Sequence, residues 1–183
     1  GFSRLIAPSN PLLNPAVSVK YVWVQDRPIG DEMYRTILVP LDGSQYAESI
    51  LPHVEEMASL LGSTIILLQV IELPHLVGLP KGEIFEALPQ TTPTEVSQQL
   101  AETRRYLDVV VKQLAEKGIT AQAQVENGPV VTTILRVARQ VDAGLIAMAS
   151  HGRGGMTDVY YGSVAAGVLQ RIDRPLLIVR AQG

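Results

Sequence analysis

Apolar residues along this chain fall into two rhythms, and their alternation predicts a fold. Thr36-Ile37-Leu38-Val39-Pro40-Leu41 is a short apolar run that stops at Asp42-Gly43-Ser44. Beyond it Leu51, Val54, Ala58 and Leu61 recur at helical spacing, with Ser44 placed as N-cap and Gly62 as a stop. The run Thr64 to Ile71 is too continuous for a half-exposed strand and predicts one buried on both faces. A second helix is predicted over roughly 94–117, with Leu100, Leu107, Val111 and Leu114 on one stripe and Gly118 at its end. Ile119 to Val125 alternates, as a strand at or near a sheet edge does. Asn127-Gly128-Pro129 opens a third helix with Pro129 near its first position and Ile134, Val137 and Val141 inward. Leu145 to Ala149 is a fourth strand; Val164, Val168, Leu169 and Ile172 form a last helical stripe; Pro175 to Val179 is a last strand. Strands alternating with helices in this way predict an α/β fold: right-handed crossovers and an open parallel five-stranded sheet covered on both faces.

Two stretches break the rhythm. Residues 1–33 hold Pro8, Pro11, Pro15 and Pro28, and only Val17 to Val24, which includes the single tryptophan Trp23, has strand character. This segment reads as an N-terminal extension, a tail or linker, ahead of a domain at 34–183; the sharper alternative is a strand that pairs with a neighbouring subunit. Glu72 to Pro93 is long for a connection, and such loops are usually lids or insertions. Gly82 to Ala87 would form a helical turn within it.

Composition narrows the partners. A length of 183 residues fits one domain, and 46% hydrophobic residues suffice for a sizeable core. A formal net charge of −3 excludes nucleic acid or an anionic membrane held by bulk charge, so any anion site is local. The absence of cysteine removes disulfides, thiolate metal sites and cysteine nucleophiles, and suits a reducing cytoplasm. The apolar runs are too short to span a bilayer, and the first residues, beginning at Gly1, lack a secretory signal pattern. A cytoplasmic location is expected.

In an open α/β sheet, ligands bind beyond the C-terminal strand ends where strand order reverses. The first strand ends in Asp42. The fourth ends in Met148-Ala149 and runs into Ser150-His151-Gly152-Arg153-Gly154-Gly155, with Gly162-Ser163-Val164 ahead of the last helix. A strand, a glycine-rich loop and a helix start in that order build an anion site from backbone N–H groups, and Arg153 adds a charge able to grip phosphate in bidentate fashion. If strands one and four are neighbours, Asp42 and this loop face one crevice. The dinucleotide fingerprint is excluded because only Gly43 follows the first strand, and no lysine follows a glycine in P-loop arrangement. The phosphate loop has moved to the fourth strand.

That relocation resembles the universal stress protein family, whose ATP-binding members carry G-x-x-G, nine residues, then G-[ST] after strand four. Here Gly152, the nine residues Arg153 to Tyr161, and Gly162-Ser163 match, whereas the first motif glycine is Ala149. Val39-Pro40-Leu41-Asp42-Gly43-Ser44 and Arg174-Pro175-Leu176-Leu177-Ile178-Val179 also look like the family's first and last strands, and the resemblance runs from about Arg35 to Arg180. It implies a doubly wound, adenine nucleotide alpha hydrolase-like sheet of order 3-2-1-4-5. It also implies a nucleotide site at Pro40, Asp42, Val70, Met148, Ala149, His151, Gly152, Arg153, Gly155, Gly162, Ser163 and Val164.

Within that site Asp42 would sit beside adenine and ribose, unless it serves only as a carboxylate favoured by the dipole of the next helix. Pro40 and Val70 would line the adenine pocket or be plain core. Gly152, Gly155, Gly162, Ser163 and Val164 would meet phosphates, with N-cap the competing role for Ser163. His151 would donate to a phosphate or order the loop. A methyl at Ala149 would crowd the nucleotide unless its φ is negative and contact is not close. His53 and His75 are isolated, so no protein-only metal cluster is expected, and Mg²⁺ would arrive with the triphosphate.

The function so implied is an ATP-binding regulatory module of the stress response. ATP would order the 152–163 loop and the 72–93 insertion and so bias an unknown protein partner, with a homodimer formed through the last strand. The alternatives are a dimeric scaffold that binds no nucleotide, a slow ATP hydrolase, for which no catalytic base stands out, and another adenine ligand such as AMP.

Overall fold

Six strands form one sheet in the computed structural model, which describes residues 18–22, 34–72, 93–150 and 161–180. The strands are β1 (Ser18–Val22), β2 (Thr36–Leu41), β3 (Thr64–Ile71), β4 (Ala121–Asn127), β5 (Leu145–Ala149) and β6 (Leu176–Arg180). The helices are α1 (Gln45–Glu48), α2 (Leu51–Leu61), α3 (Pro93–Glu116), α4 (Val130–Gln140) and α5 (Ser163–Arg171). Trp23, His75 and the helical turn expected at Gly82 to Ala87 lie outside the described residues.

The spatial order is β1-β6-β5-β2-β3-β4. Its five parallel strands, read from β4 to β6, follow the expected order 3-2-1-4-5. The addition is β1, which runs antiparallel on β6 with Ser18 opposite Arg180 and Val22 opposite Leu176. The strand character at Val17 to Val24 thus finds its partner inside the chain, where a neighbouring subunit had been the alternative.

Pleating splits the core into two layers. Ile37, Val39 and Leu41 of β2 join Leu145 and Ala147 of β5 on the side of α2 and α3, packed with Val54, Ala58, Leu107, Val110 and Leu114. Leu38, Ile146 and Met148 face the other side, with Ile134 and Val137 of α4 and Ala165 and Val168 of α5. Both faces of the central strands are therefore buried, which is why β3 reads as a nearly unbroken apolar run. β4 closes the far edge; none of its residues is fully buried, and the alternation expected from its sequence is not kept in their exposure.

The helical pattern after β2 is one stripe in sequence but two helices in space. Pro52, at the start of α2, has no N–H to continue the ladder of α1 and its ring clashes with the preceding turn. α1 ends at Ser49, whose hydroxyl donates to the Tyr46 carbonyl at 2.7 Å. Gly62 stops α2 as expected, at φ 66°, a left-handed conformation that only glycine adopts cheaply. In α3 it is Val110, rather than Val111, that is fully buried beside Leu107 and Leu114.

Arg174, two residues before β6, ties the entry of that strand to the end of α4. Its guanidinium, 5% exposed, donates through Nη1 to the carbonyls of Ala138 at 2.7 Å and Ala143 at 2.9 Å. Nε donates to Asp173 at 2.9 Å, and Arg139 reaches the same carboxylate at 3.0 Å. Among the described residues no helix is long and apolar enough to cross a membrane.

Candidate functional site

β2 has β3 on one side and β5 on the other, so strand order reverses at its C-terminal end. The two strands that end in Asp42 and Ala149 are therefore neighbours, as the expected crevice requires. Register then assigns side chains to faces. Leu38 stands opposite Ile146, and Pro40 and Met148 follow two residues later on the same face. Pro40 is level with Leu68, and Met148 with Ile178, both buried in the α4/α5 layer. Val70, two residues beyond Leu68, packs against that layer too, as do Tyr161 and Val164. Pro40, Val70 and Val164 are half-buried whereas Met148 is sealed, so an apolar floor opens toward solvent at this end.

Asp42 lies just past β2 and is half-buried. Its Oδ1 accepts from the Ser44 backbone N–H at 3.0 Å and from the Ser44 hydroxyl at 2.6 Å. Ser44 Oγ in turn accepts from Ala47 N–H at 3.1 Å and caps α1. Gly43, at φ 78°, makes that tight reversal possible. The carboxylate is thereby held in place just past the C-terminal end of β2, at the start of a one-turn helix.

The exit from β5 is equally defined. Ser150 N–H extends the ladder to the Val179 carbonyl at 2.8 Å, and Gly162 N–H returns to the Ser150 carbonyl at 2.7 Å. His151, Gly152, Arg153 and Gly155 fall in the stretch 151–160, outside the described residues; its two ends are tied together at the top of β5. Gly162 is the N-cap of α5, with φ −63° and ψ 162°, and the cap carries no side-chain hydrogen bond. The N-cap role weighed for Ser163 is thus corrected: Ser163 is the first helical residue and is exposed. Gly162 takes the cap because its own N–H is drawn to Ser150. The first bond of the helix joins Ala166 N–H to the Gly162 carbonyl at 2.9 Å. The N–H groups of Ser163, Val164 and Ala165 have no acceptor within the helix, and the dipole adds partial positive charge there.

Ala149 differs from the neighbours assigned with it. It is the last residue of β5, opposite Val179, and pleating turns its methyl to the α2/α3 side, away from Met148. Its φ is negative; Asp142 is the single non-glycine residue with positive φ among those described. The backbone therefore makes no demand for glycine at this position.

Tyr106 on α3 is an addition that its helical stripe does not signal, since Leu107 beside it carries the apolar pattern. Burial first, then the nearby carboxylates of Glu48 and Asp42, raise its hydroxyl well above the ordinary range. The phenol stays protonated, with Asp42 in electrostatic reach. Among the described residues no group of three His, Asp or Glu side chains could hold a metal ion.

Comparison with known proteins agrees with this architecture. A model of the universal stress protein family matches residues 33–180. The universal stress protein MJ0577 of Methanocaldococcus jannaschii is 27% identical over 158 residues, covering 81% of this chain and 96% of the relative. Its solved structure superposes with a TM-score of 0.67 at 28% identity, over 82% of this chain and 99% of that one. The universal stress protein Sll1654 of Synechocystis is 31% identical over 147 residues, covering 80% of this chain and 86% of the relative. A universal stress protein of Archaeoglobus fulgidus in complex with dAMP shares the fold, with a TM-score of 0.56 at 21% identity over 80% of this chain and 98% of that one. A doubly wound sheet with its open floor at the strand reversal defines the class, and the chain belongs to the universal stress protein family.

Proposed function

We propose that this chain is a cytoplasmic regulatory module of the stress response that binds an adenine nucleotide, ATP foremost, between the end of β2 and the start of α5. One observation carries the reading: the half-open apolar floor of Pro40, Val70 and Met148 lies at the strand reversal, beside the uncapped first turn of α5. The floor suits an adenine ring, Asp42 a ribose hydroxyl or the adenine amino group, and the helix start a phosphate. Gly152, Gly155, Gly162, Ser163 and Val164 would hold the phosphates through backbone N–H groups and the Ser163 hydroxyl, with Arg153 and His151 as further donors. Mg²⁺ would accompany the triphosphate on phosphate oxygens and water. That an Archaeoglobus fulgidus relative was solved with dAMP supports the adenosine half of the assignment. Bound nucleotide would alter association with a protein partner through differential affinity for two states.

Thermal unfolding of ligand-stripped protein tests this. ATP at a hundred times its Kd should add about 2.7 kcal/mol, which is roughly 5–11 °C for a domain of this size. GTP should do markedly less, and no shift with ATP, ADP or AMP would overturn the reading. An AMP shift equal to that of ATP would move the ligand to a monophosphate. Ala149→Gly is expected to leave ATP affinity unchanged, because the methyl points away from the floor. It should cost about 0.5–1 kcal/mol of stability in urea unfolding, for glycine in a strand. A tenfold tightening of ATP in that variant would place the methyl in the pocket after all.

The homodimer implied for the last strand would need the edge of β6, which β1 fills in this chain. A dimer built there requires β1 to leave.

A further inference from the structure

We propose that Gly167, through its contact with Val131 of α4, is a positioning residue for the phosphate end of the site; the inference rests on the nucleotide reading above. α4 and α5 pack against the same core layer, with Val131 in the first turn of α4 and Gly167 one turn beyond Val164 in α5. Their approach is closer than a side chain at 167 allows. A methyl group there would lie 2.8 Å from Val131 Cγ2, 3.4 Å from Cγ1 and 3.6 Å from Cβ. Carbon atoms in contact stand about 3.5–4.0 Å apart, so alanine would open the two helices by about 0.7 Å or more. Turning Val131 gives little relief. A β-branched side chain in a helix keeps one favoured rotamer, and the second branch already stands near the added methyl. Glycine inside a helix is less favourable than alanine, and close approach is what this position obtains by it.

α4 is the fixed partner in this contact. Gly128 N–H donates to the Ile71 carbonyl at 3.1 Å, and Val130 N–H donates to Glu72 Oε1 at 3.2 Å. The first turn of α4 is thereby fastened to the end of β3, one and two residues beyond Val70 of the apolar floor. α5 is fastened at its start, where Gly162 N–H meets the Ser150 carbonyl. A displacement at Gly167 therefore tilts α5 about that start or breaks that bond. Either result re-aims the N–H groups of Ser163, Val164 and Ala165. The first turn of α4 is thus a common reference for both ends of the crevice, bound to β3 beside the adenosine end and setting the phosphate end through Gly167.

Titration of ATP and adenosine into three full-length, ligand-stripped variants tests this. Gly167→Ala should bind ATP roughly tenfold or more weakly, the worth of one hydrogen bond to a charged group. Adenosine, which has no phosphate, should keep its affinity within about twofold, because the apolar floor is untouched. Val131→Ala removes the same contact from the other side and should weaken ATP a few-fold. Gly167→Ala combined with Val131→Ala seats a methyl in the space that the isopropyl group leaves, and should bring ATP affinity back near wild type. Two independent losses would add instead. A double variant that binds ATP no more tightly than Val131→Ala alone would overturn the positioning role, and that comparison stands even where Gly167→Ala does not fold. Wild-type ATP affinity in Gly167→Ala, or adenosine weakened as much as ATP, would do the same. Wild type that fails to bind ATP at all would instead remove the nucleotide reading, and this inference with it.

Discussion

Ser163→Asp is expected to change stability and ligand affinity in opposite directions. The side chain is exposed at the first helical position of α5, so a carboxylate fits without repacking. Negative charge at a helix N-terminus is favourable by about 0.3–1 kcal/mol, and the free protein should melt roughly 1–3 °C higher. The same charge would stand where a phosphate is to be held. Two unit charges a few ångströms apart repel by a few kcal/mol even with effective solvent screening, so ATP affinity should fall roughly 10–100-fold. Ser163→Asn, of nearly equal size and uncharged, should lose far less. Paired melting curves and ATP titrations of the two variants check this. Equal affinity of Ser163→Asp and wild type would remove the start of α5 from the phosphate site.

Arg174→Met, at a buried position, should be strongly destabilising, by about 3 kcal/mol in urea unfolding. The loss has little to do with surface charge. Nη1 serves the buried carbonyls of Ala138 and Ala143, which methionine leaves without a donor while filling similar space. Asp173 makes the effect visible in pH. The hydrogen bond from Arg174 lowers its pKa from 3.8 to about 2 against the opposing effect of burial, with Arg139 contributing further. A carboxyl group depressed in the folded state stabilises the fold above its unfolded pKa and ceases to as pH falls through the folded value. Wild type should therefore lose stability between about pH 4 and pH 2 through this group, and Arg174→Met should show a shallower slope there. The carboxylate is 46% exposed, so solvent screening keeps that part well below the hydrogen-bond loss. A variant within 1 kcal/mol of wild type would show that water satisfies both carbonyls.

The parts that local pattern determines were legible in the sequence. Continuous runs marked β3 and β5 because both faces are buried, alternation marked β4 as an edge, and Gly62 marked a helix end. Adjacency of β2 and β5, on which the crevice depends, came from the family resemblance, since strand order is not a local property. Other features depended on distant partners. Nothing within residues 17–24 says which edge β1 joins, since β6 and β4 each have one side open to it. Ser163 outranks glycine as an N-cap by propensity, yet Gly162 holds the cap because the Ser150 carbonyl claims its N–H. Arg174 reads as one cation before a proline, while its acceptors lie 36 and 31 positions earlier. At Ala149 motif matching marked a missing glycine, whereas strand alternation shows which way the methyl turns.

The bond from Gly162 to Ser150 bears on how much ordering a ligand must impose. It closes the eleven residues between them into a ring before anything binds. Bringing together the ends of a flexible segment that long costs about 2 kcal/mol in entropy, and folding has already met that cost. A ligand at the start of α5 therefore meets two ends already joined and does not bear that part of the cost again. A substitution that opened the ring would act as a remote affinity mutation, slowing capture and weakening retention without removing one ligand contact.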